Sequence, residues 1–195
     1  ILLLFAWLLF SQTTHLNYQI QISKLIEDIN KDSISILIEK SEYKLTILYN
    51  DKRIKSYPVV FGSNPIDDKL RQGDSCTPEG IFKVRALYPH KSWSKFIWID
   101  YPTTNSWKKH NAAKSSSVIS QNSSIGGEIG IHGVPAGYDN MIDEKYNWTL
   151  GCISLKNVDV NEIYKLIKVG TRIEIRHWDQ RTKNKTRVRK VLWSP

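Results

Sequence analysis

The chain has 195 residues, 41% of them apolar, enough to bury one ordinary core without disulfide staples. Its two cysteines, Cys76 and Cys152, allow at most one bridge; with no CxxC pair and no Cys/His cluster at metal-ligand spacing, the composition excludes a zinc-built domain. The net charge of +9 is uneven, because residues 176–195 hold seven Lys/Arg against Asp179 alone.

The first ten residues, ILLLFAWLLF, form an uninterrupted apolar run followed by the polar SQTTH. Ten residues are too few to span a bilayer as a helix, so residues 1–14 read as a signal-peptide core or as part of a membrane anchor. Residues 15–33 read as a helical linker, with Leu16, Ile20, Leu25, Ile26 and Ile29 approximating one apolar face. The period then changes to two: SISILIEK, YKLTILYN and KRIKSYPVVFG, separated by the turn-like KSE and ND, are predicted antiparallel strands.

Gly62 to Gly80, GSNPIDDKLRQGDSCTPEG, is rich in turn-forming residues and predicts a long loop of the kind that carries function. Two further strands follow, IFKVRALYP and KFIWIDYP, then a helix over 105–120 and a short glycine-bounded strand in GGEIGIHG. NVDVNEIYKLIKVG predicts a helix with Asn157 as N-cap and Gly170 as stop, and TRIEIRHW predicts a closing strand. The sum is a mainly β domain, barrel-like or sandwich-like, with a few helices and neither βαβ alternation nor an internal repeat.

Of the five histidines, His132 sits where a strand ends among small residues, in IGIHGVPAG. Cys152 follows 20 positions later in WTLGCISLKN, just before the predicted helix. The backbone N–H groups of Gly151 and Cys152 can there converge on one point, which is what a thiolate and an acyl-transfer oxyanion need. On composition alone the other reading stands beside this one: a lone Cys packs as a small hydrophobe and a lone His serves structure.

The order of motifs decides between them. His132-Gly133, with 16 residues between His132 and Thr149, then Thr149-Leu150-Gly151-Cys152-Ile153, together with the upstream GDSCTPEGIF, resembles the L,D-transpeptidase catalytic family (YkuD/ErfK type) over residues 34 to 176. The chain departs from the family pattern at Ser154, where Arg or Asn is common, and at Leu150, where His or Arg is frequent. The Trp-Thr-x-Gly-Cys-Ile variant is most similar to a subgroup that includes an enzyme detaching a lipoprotein from peptidoglycan.

The resemblance implies a catalytic domain over 34–178, followed by a basic tail over 179–195. It implies Cys152 as nucleophile, His132 as general base and acid, and the Gly133 carbonyl as the group orienting the imidazole. Gly151 and Cys152 would supply oxyanion N–H groups, and Trp148, Thr149, Tyr138 and Ser154 would touch substrate. The implied reaction is acyl transfer at the diaminopimelate–D-Ala bond of a stem tetrapeptide to an amine, with no metal or other cofactor. Hydrolysis of the same acyl-enzyme, including lipoprotein release, is the alternative, and an inactive wall-binding module is the non-enzymatic one.

The expected partners are peptidoglycan stem peptides, a wall-linked lipoprotein, and an anionic wall or membrane surface met by the tail; no nucleic-acid motif accompanies the tail's charge. The expected location is the cell envelope or periplasm, after export. Cys76 is expected to be an incidental thiol, with a bridge to Cys152 as the other reading in an oxidising compartment. Trp93, Trp98 and Trp107 are expected to pack, and Asp74, Thr77 and Gly80 to shape the long loop.

Overall fold

The structure, a computed structural model, describes residues 30–177. The readings of residues 1–14, of most of the 15–33 linker and of the 179–195 tail lie outside them. Among the described residues no helix is long and apolar enough to cross a membrane.

Eight strands form one mixed sheet: β1 (Ile34–Glu39), β2 (Lys44–Tyr49), β3 (Lys52–Pro58), β4 (Gly80–His90), β5 (Ser94–Ile99), β6 (Gly130–His132), β7 (Ile153–Ser154) and β8 (Arg172–Arg176), in the spatial order β3-β2-β1-β8-β4-β5-β6-β7. The expectation of antiparallel pairing holds for β1–β2, β2–β3 and β4–β5, but β1 runs parallel to β8 and β6 parallel to β7. Parallel partners come from distant sequence, so the local turn signals that reveal hairpins are silent about them.

Strand sequence follows strand position. β1, flanked on both sides, is buried along most of its length as Ile34, Ile36, Leu37 and Ile38. β3, at the sheet edge, is KRIKSYP and exposed nearly throughout, and its charges discourage pairing with another chain. β4 pairs first with β8 through Gly80–Lys83 and then with β5 through Val84–His90, with a register shift between Val84 and Ala86. One long strand thereby joins two halves of the sheet and lets it curl around Phe82, Ile97, Ile99, Ile131, Ile153 and Ile173, all buried. Each such side chain stabilises the fold by about 1.5–3 kcal/mol.

Three α-helices, α1 (Thr104–Ser115), α2 (Asn140–Asp143) and α3 (Asn157–Leu166), and two short 3-10 turns at Lys31–Ser33 and Lys40–Glu42 complete the described chain. α1 starts after a capping box between Thr103 and Ser106 and stops in the serine run, earlier than the predicted Ser120, where Ser117 turns left-handed at φ +57°. The cap of α3 is Lys156 rather than Asn157, and the helix ends at Leu166, short of Gly170. Asn157 is diverted: its Nδ2 donates to the Val134 carbonyl at 3.0 Å.

The predicted loop after β3 is built around two buried lysines. Lys40 is fully buried and its Nζ donates to the carbonyls of Asp67 (2.8 Å) and Thr77 (3.3 Å) and to Glu79 Oε1 (2.8 Å). Lys69 is bound to Asp74 at 2.9 Å. From outside, α1 grips the same loop: Lys109 donates to Asp68 and to the Glu79 carbonyl, and His110 Nδ1 donates to the Leu70 carbonyl at 2.6 Å.

Candidate active site

Cys152 stands on a turn held at both ends. Val60 and Ser154 exchange backbone hydrogen bonds at 2.9 Å each, and Ser63 N–H donates to the Thr149 carbonyl at 3.0 Å. Residues 150–152 arch between these anchors, so that Leu150 is 81% exposed while its neighbours at both ends are buried. Thr149 closes the arch: its hydroxyl donates to the Cys152 carbonyl at 2.7 Å and accepts from Gly151 N–H at 3.2 Å.

Gly151 has φ +136°, and a Cβ there would lie 2.7 Å from the Cys76 carbonyl oxygen, so only glycine lets the turn rest on the GDSCTP backbone. The two conspicuous motifs of the sequence therefore meet as one packed unit. Both cysteines are free. Cys76 is buried, with its thiol pushed up to about 12 by desolvation and then by Asp74.

His132 ends β6 and is buried, opposite Ser154 in the parallel ladder. Its Nδ1 lies 2.7 Å from the Gly133 carbonyl. A carbonyl only accepts, so Nδ1 carries the proton and Nε2 is the free base. The ring is boxed by aromatic neighbours: Trp93 stacks on it at 4.4 Å, Phe96 at 5.7 Å, and Trp148 meets it edge-on at 5.6 Å. Gly133 admits no side chain, because a Cβ would lie 2.1 Å from Asn157 Oδ1 and 2.7 Å from the Trp93 carbonyl.

A cavity of about 750 Å³ is lined by His132, Cys152, Trp148, Thr149, Leu150, Trp93, Lys69 and Glu128 among others. Cys152 keeps some exposure to it, yet desolvation pushes its thiol up to about 11, opposed by the Gly130 backbone and by the Lys69 charge. The thiol donates weakly to the Glu128 carbonyl at 3.6 Å. Burial also pushes His132 down to about 4, against the favourable Gly133 contact. The resting pair is thus a neutral thiol and a neutral imidazole. Among the described residues no group of His, Cys, Asp or Glu could hold a metal ion.

The histidine has a consequence for stability. Its folded pKa lies below the unfolded value of 6.5, so both states are neutral above that pH and only the unfolded chain gains a proton below it. Unfolding free energy is expected to fall by about 3 kcal/mol as pH drops from 6.5 towards 4, a slope that urea melts of a His132→Gln variant should lack.

The structure redistributes several expected roles. His132, Cys152, Trp148 and Thr149 share the cavity, whereas Tyr138 is 56% exposed and lies outside its lining. Ser154 was expected to touch substrate; it is fully buried and its hydroxyl donates to the Gly133 carbonyl at 3.3 Å, behind the imidazole. The Gly151 N–H, expected to hold an oxyanion, is donated instead to Thr149. Trp93, expected only to pack, is a platform for the imidazole, and Lys69, a lone lysine in a polar loop that no sequence motif marks, is a buried charge paired with Asp74. In Ser154→Ala, the Gly133 carbonyl keeps one donor; the expected cost is about 1 kcal/mol of stability, with roughly a tenfold slower Cys152 acylation, read by melting and by mass against time.

A curled mixed sheet that sets a thiol and a buried, tautomer-locked imidazole on one cavity defines a mainly β domain whose candidate site is that cavity. The chain belongs to the L,D-transpeptidase catalytic domain family (YkuD), whose model matches residues 33–175. No curated protein matches it significantly.

Solved structures that share its fold include the following three. Bd1075 of Bdellovibrio bacteriovorus is 20% identical at a TM-score of 0.53, the match covering 81% of this chain and 56% of that one. The helical cell shape determining protein Pgp2 of Campylobacter jejuni is 18% identical at 0.57, covering 76% and 49%. An L,D-transpeptidase from Xylanimonas cellulosilytica is 15% identical at 0.50, covering 74% and 60%. The chain thus spans about half the length of these three proteins.

Proposed function

We propose that the chain is a peptidoglycan L,D-transpeptidase in which Cys152 forms an acyl-enzyme with a stem tetrapeptide. The observation that carries this reading is the placement of the Cys152 thiol and the Nδ1-anchored His132 imidazole on one cavity, in a chain of this family. Because both groups rest neutral, the proton moves as the bond forms: His132 Nε2 takes the thiol proton while sulfur attacks the carbonyl at the L-centre of diaminopimelate. The Cys152 N–H is the donor of the expected pair left to meet the oxyanion; the Gly151 N–H joins it only when Thr149 releases it.

Collapse of the tetrahedral intermediate breaks the C–N bond to D-Ala, whose nitrogen takes the proton from His132, and leaves a thioester. An acceptor amine then attacks, giving its proton to His132 and returning the thiolate as leaving group. Water in place of the amine gives a tripeptide; where a wall-linked lipoprotein amine stands in place of D-Ala at the scissile bond, formation of the thioester itself releases the lipoprotein. Trp148 and Leu150, which line the cavity, are the side chains assigned to the stem peptide in this reading. The substrate places the reaction in the cell envelope, and the apolar residues 1–10 are the segment assigned to export or anchoring.

Incubating the purified protein with disaccharide-tetrapeptide and weighing the products tests the reading. D-Ala loss with 3→3 crosslinked dimers is the expected result; D-Ala loss with tripeptide alone makes the enzyme a hydrolase of the same bond. Unchanged tetrapeptide overturns both.

A further inference from the structure

The cavity holds a charge that the mechanism above does not use. Of the described residues lining it, Lys69 is the single cation, since His132 is neutral, and Glu128 is the single carboxylate. The Lys69 side chain is only 3% exposed. Its Nζ donates to Asp74 Oδ1 at 2.9 Å and to the Arg71 carbonyl at 3.1 Å, using two of three donors.

Asp74 in turn accepts from Leu70 N–H and Arg71 N–H at 2.8 Å each and from Cys76 N–H at 3.1 Å. Burial alone would raise this carboxyl, but the Arg71 N–H, Lys69 and the other donors outweigh it and hold it below the ordinary carboxylate range. The GD of the long loop is therefore a socket that fixes one ammonium in the cavity wall. A buried ion pair is a costly way to shape a loop that apolar residues could shape as well, so the position of its charge asks for a reason.

We propose that Lys69 is a positioning residue of the reaction: an ammonium fixed in the cavity wall, whose charge favours the Cys152 thiolate and the oxyanion that follows it. It acts through the field it sets at the sulfur, without touching substrate. The need for it comes from the histidine, which is buried and neutral and so offers no resting imidazolium to pair with a thiolate. The charged and titratable groups around Cys152 are Lys69 on the long loop, His132 on β6, Glu128 just before β6, and Tyr88 on β4. Lys69 favours the thiolate and Glu128 opposes it. The catalytic half of the proposal rests on the transpeptidase reading; the thiolate half does not.

The test is the rate of Cys152 alkylation by iodoacetamide against pH, read by peptide mass, in the full chain. Lys69→Met is expected to move the midpoint upward by about one pH unit and to slow alkylation at fixed pH roughly tenfold. Lys69→Arg should keep the wild-type midpoint, and Glu128→Gln should move it downward by less. Loop damage would shift Lys69→Met and Lys69→Arg alike and would not reverse sign in Glu128→Gln.

Should Lys69→Met fail to fold, the double variant Lys69→Met/Asp74→Asn, which removes both charges, is expected to fold and to show a smaller shift in the same upward direction. An unchanged midpoint in a folded Lys69 variant lacking the charge overturns the proposal, as does a shift of the same sign in Glu128→Gln. If the shifts appear while wild-type protein leaves tetrapeptide untouched, the transpeptidase reading fails and the thiolate proposal stands.

Discussion

In a Cys152→Ala variant, release of D-Ala from tetrapeptide stems is expected to fall to background while the folded state survives. The thiol is the group to which the acyl chain would bond, and nothing else lining the cavity replaces it: His132 is boxed by aromatic rings, and Cys76 is buried beneath the turn with a thiol pushed up to about 12. Removing a covalent nucleophile leaves only binding and oxyanion contacts, a loss of about four or more orders of magnitude. The cost to stability is small, because Cys152 borders a cavity and the turn is held by backbone bonds at Val60, Ser63 and Ser154 and by the Thr149 hydroxyl. Product mass and a thermal melt check the two halves of this expectation separately; residual turnover in a well-folded variant would move the nucleophile elsewhere.

Lys40→Met is expected to be among the most destabilising single changes in the chain. Lys40 is fully buried, and its three bonds tie β1's end to Asp67, Thr77 and Glu79, three points on the loop that supports the Cys152 turn. Removing it strands the largely buried Glu79 carboxylate and two carbonyls, at a cost of about 3–5 kcal/mol. Urea melts should show that loss, and Cys152 alkylation should become faster as the loop loosens and the sulfur gains solvent. A melt within about 0.5 kcal/mol of wild type would mean that the loop is held by α1 through Lys109 and His110 instead.

What was legible in the sequence was whatever depends on near neighbours or on motif spacing. Period-two alternation revealed the strands of the curled sheet, the turn-rich run from Gly62 revealed the long loop, and the His-Gly and Gly-Cys motifs revealed two residues that the fold sets on one cavity. Contacts between distant segments stayed hidden. Ser154 looked like a substrate contact until the parallel β6–β7 pairing placed it behind His132. Asn157 has the chemistry of an N-cap, but it is the first helical residue of α3 and its amide donates to the Val134 carbonyl in a distant loop. Trp93 lies 39 residues before the imidazole it stacks on, and Lys40 and Lys69, which no motif or spacing marks, are the buried pegs of the loop. Buried charge defeats sequence reading because its cost is offset only by partners brought in by the fold.

The central claim, acyl transfer through Cys152, is tested most directly by intact-protein mass after exposure to a carbapenem-type β-lactam, followed by mapping of the adduct. One adduct per chain, on the peptide carrying Cys152 and absent from Cys152→Ala, is the predicted result. No adduct on folded wild-type protein, or an adduct on Cys76 or any other residue, would contradict it.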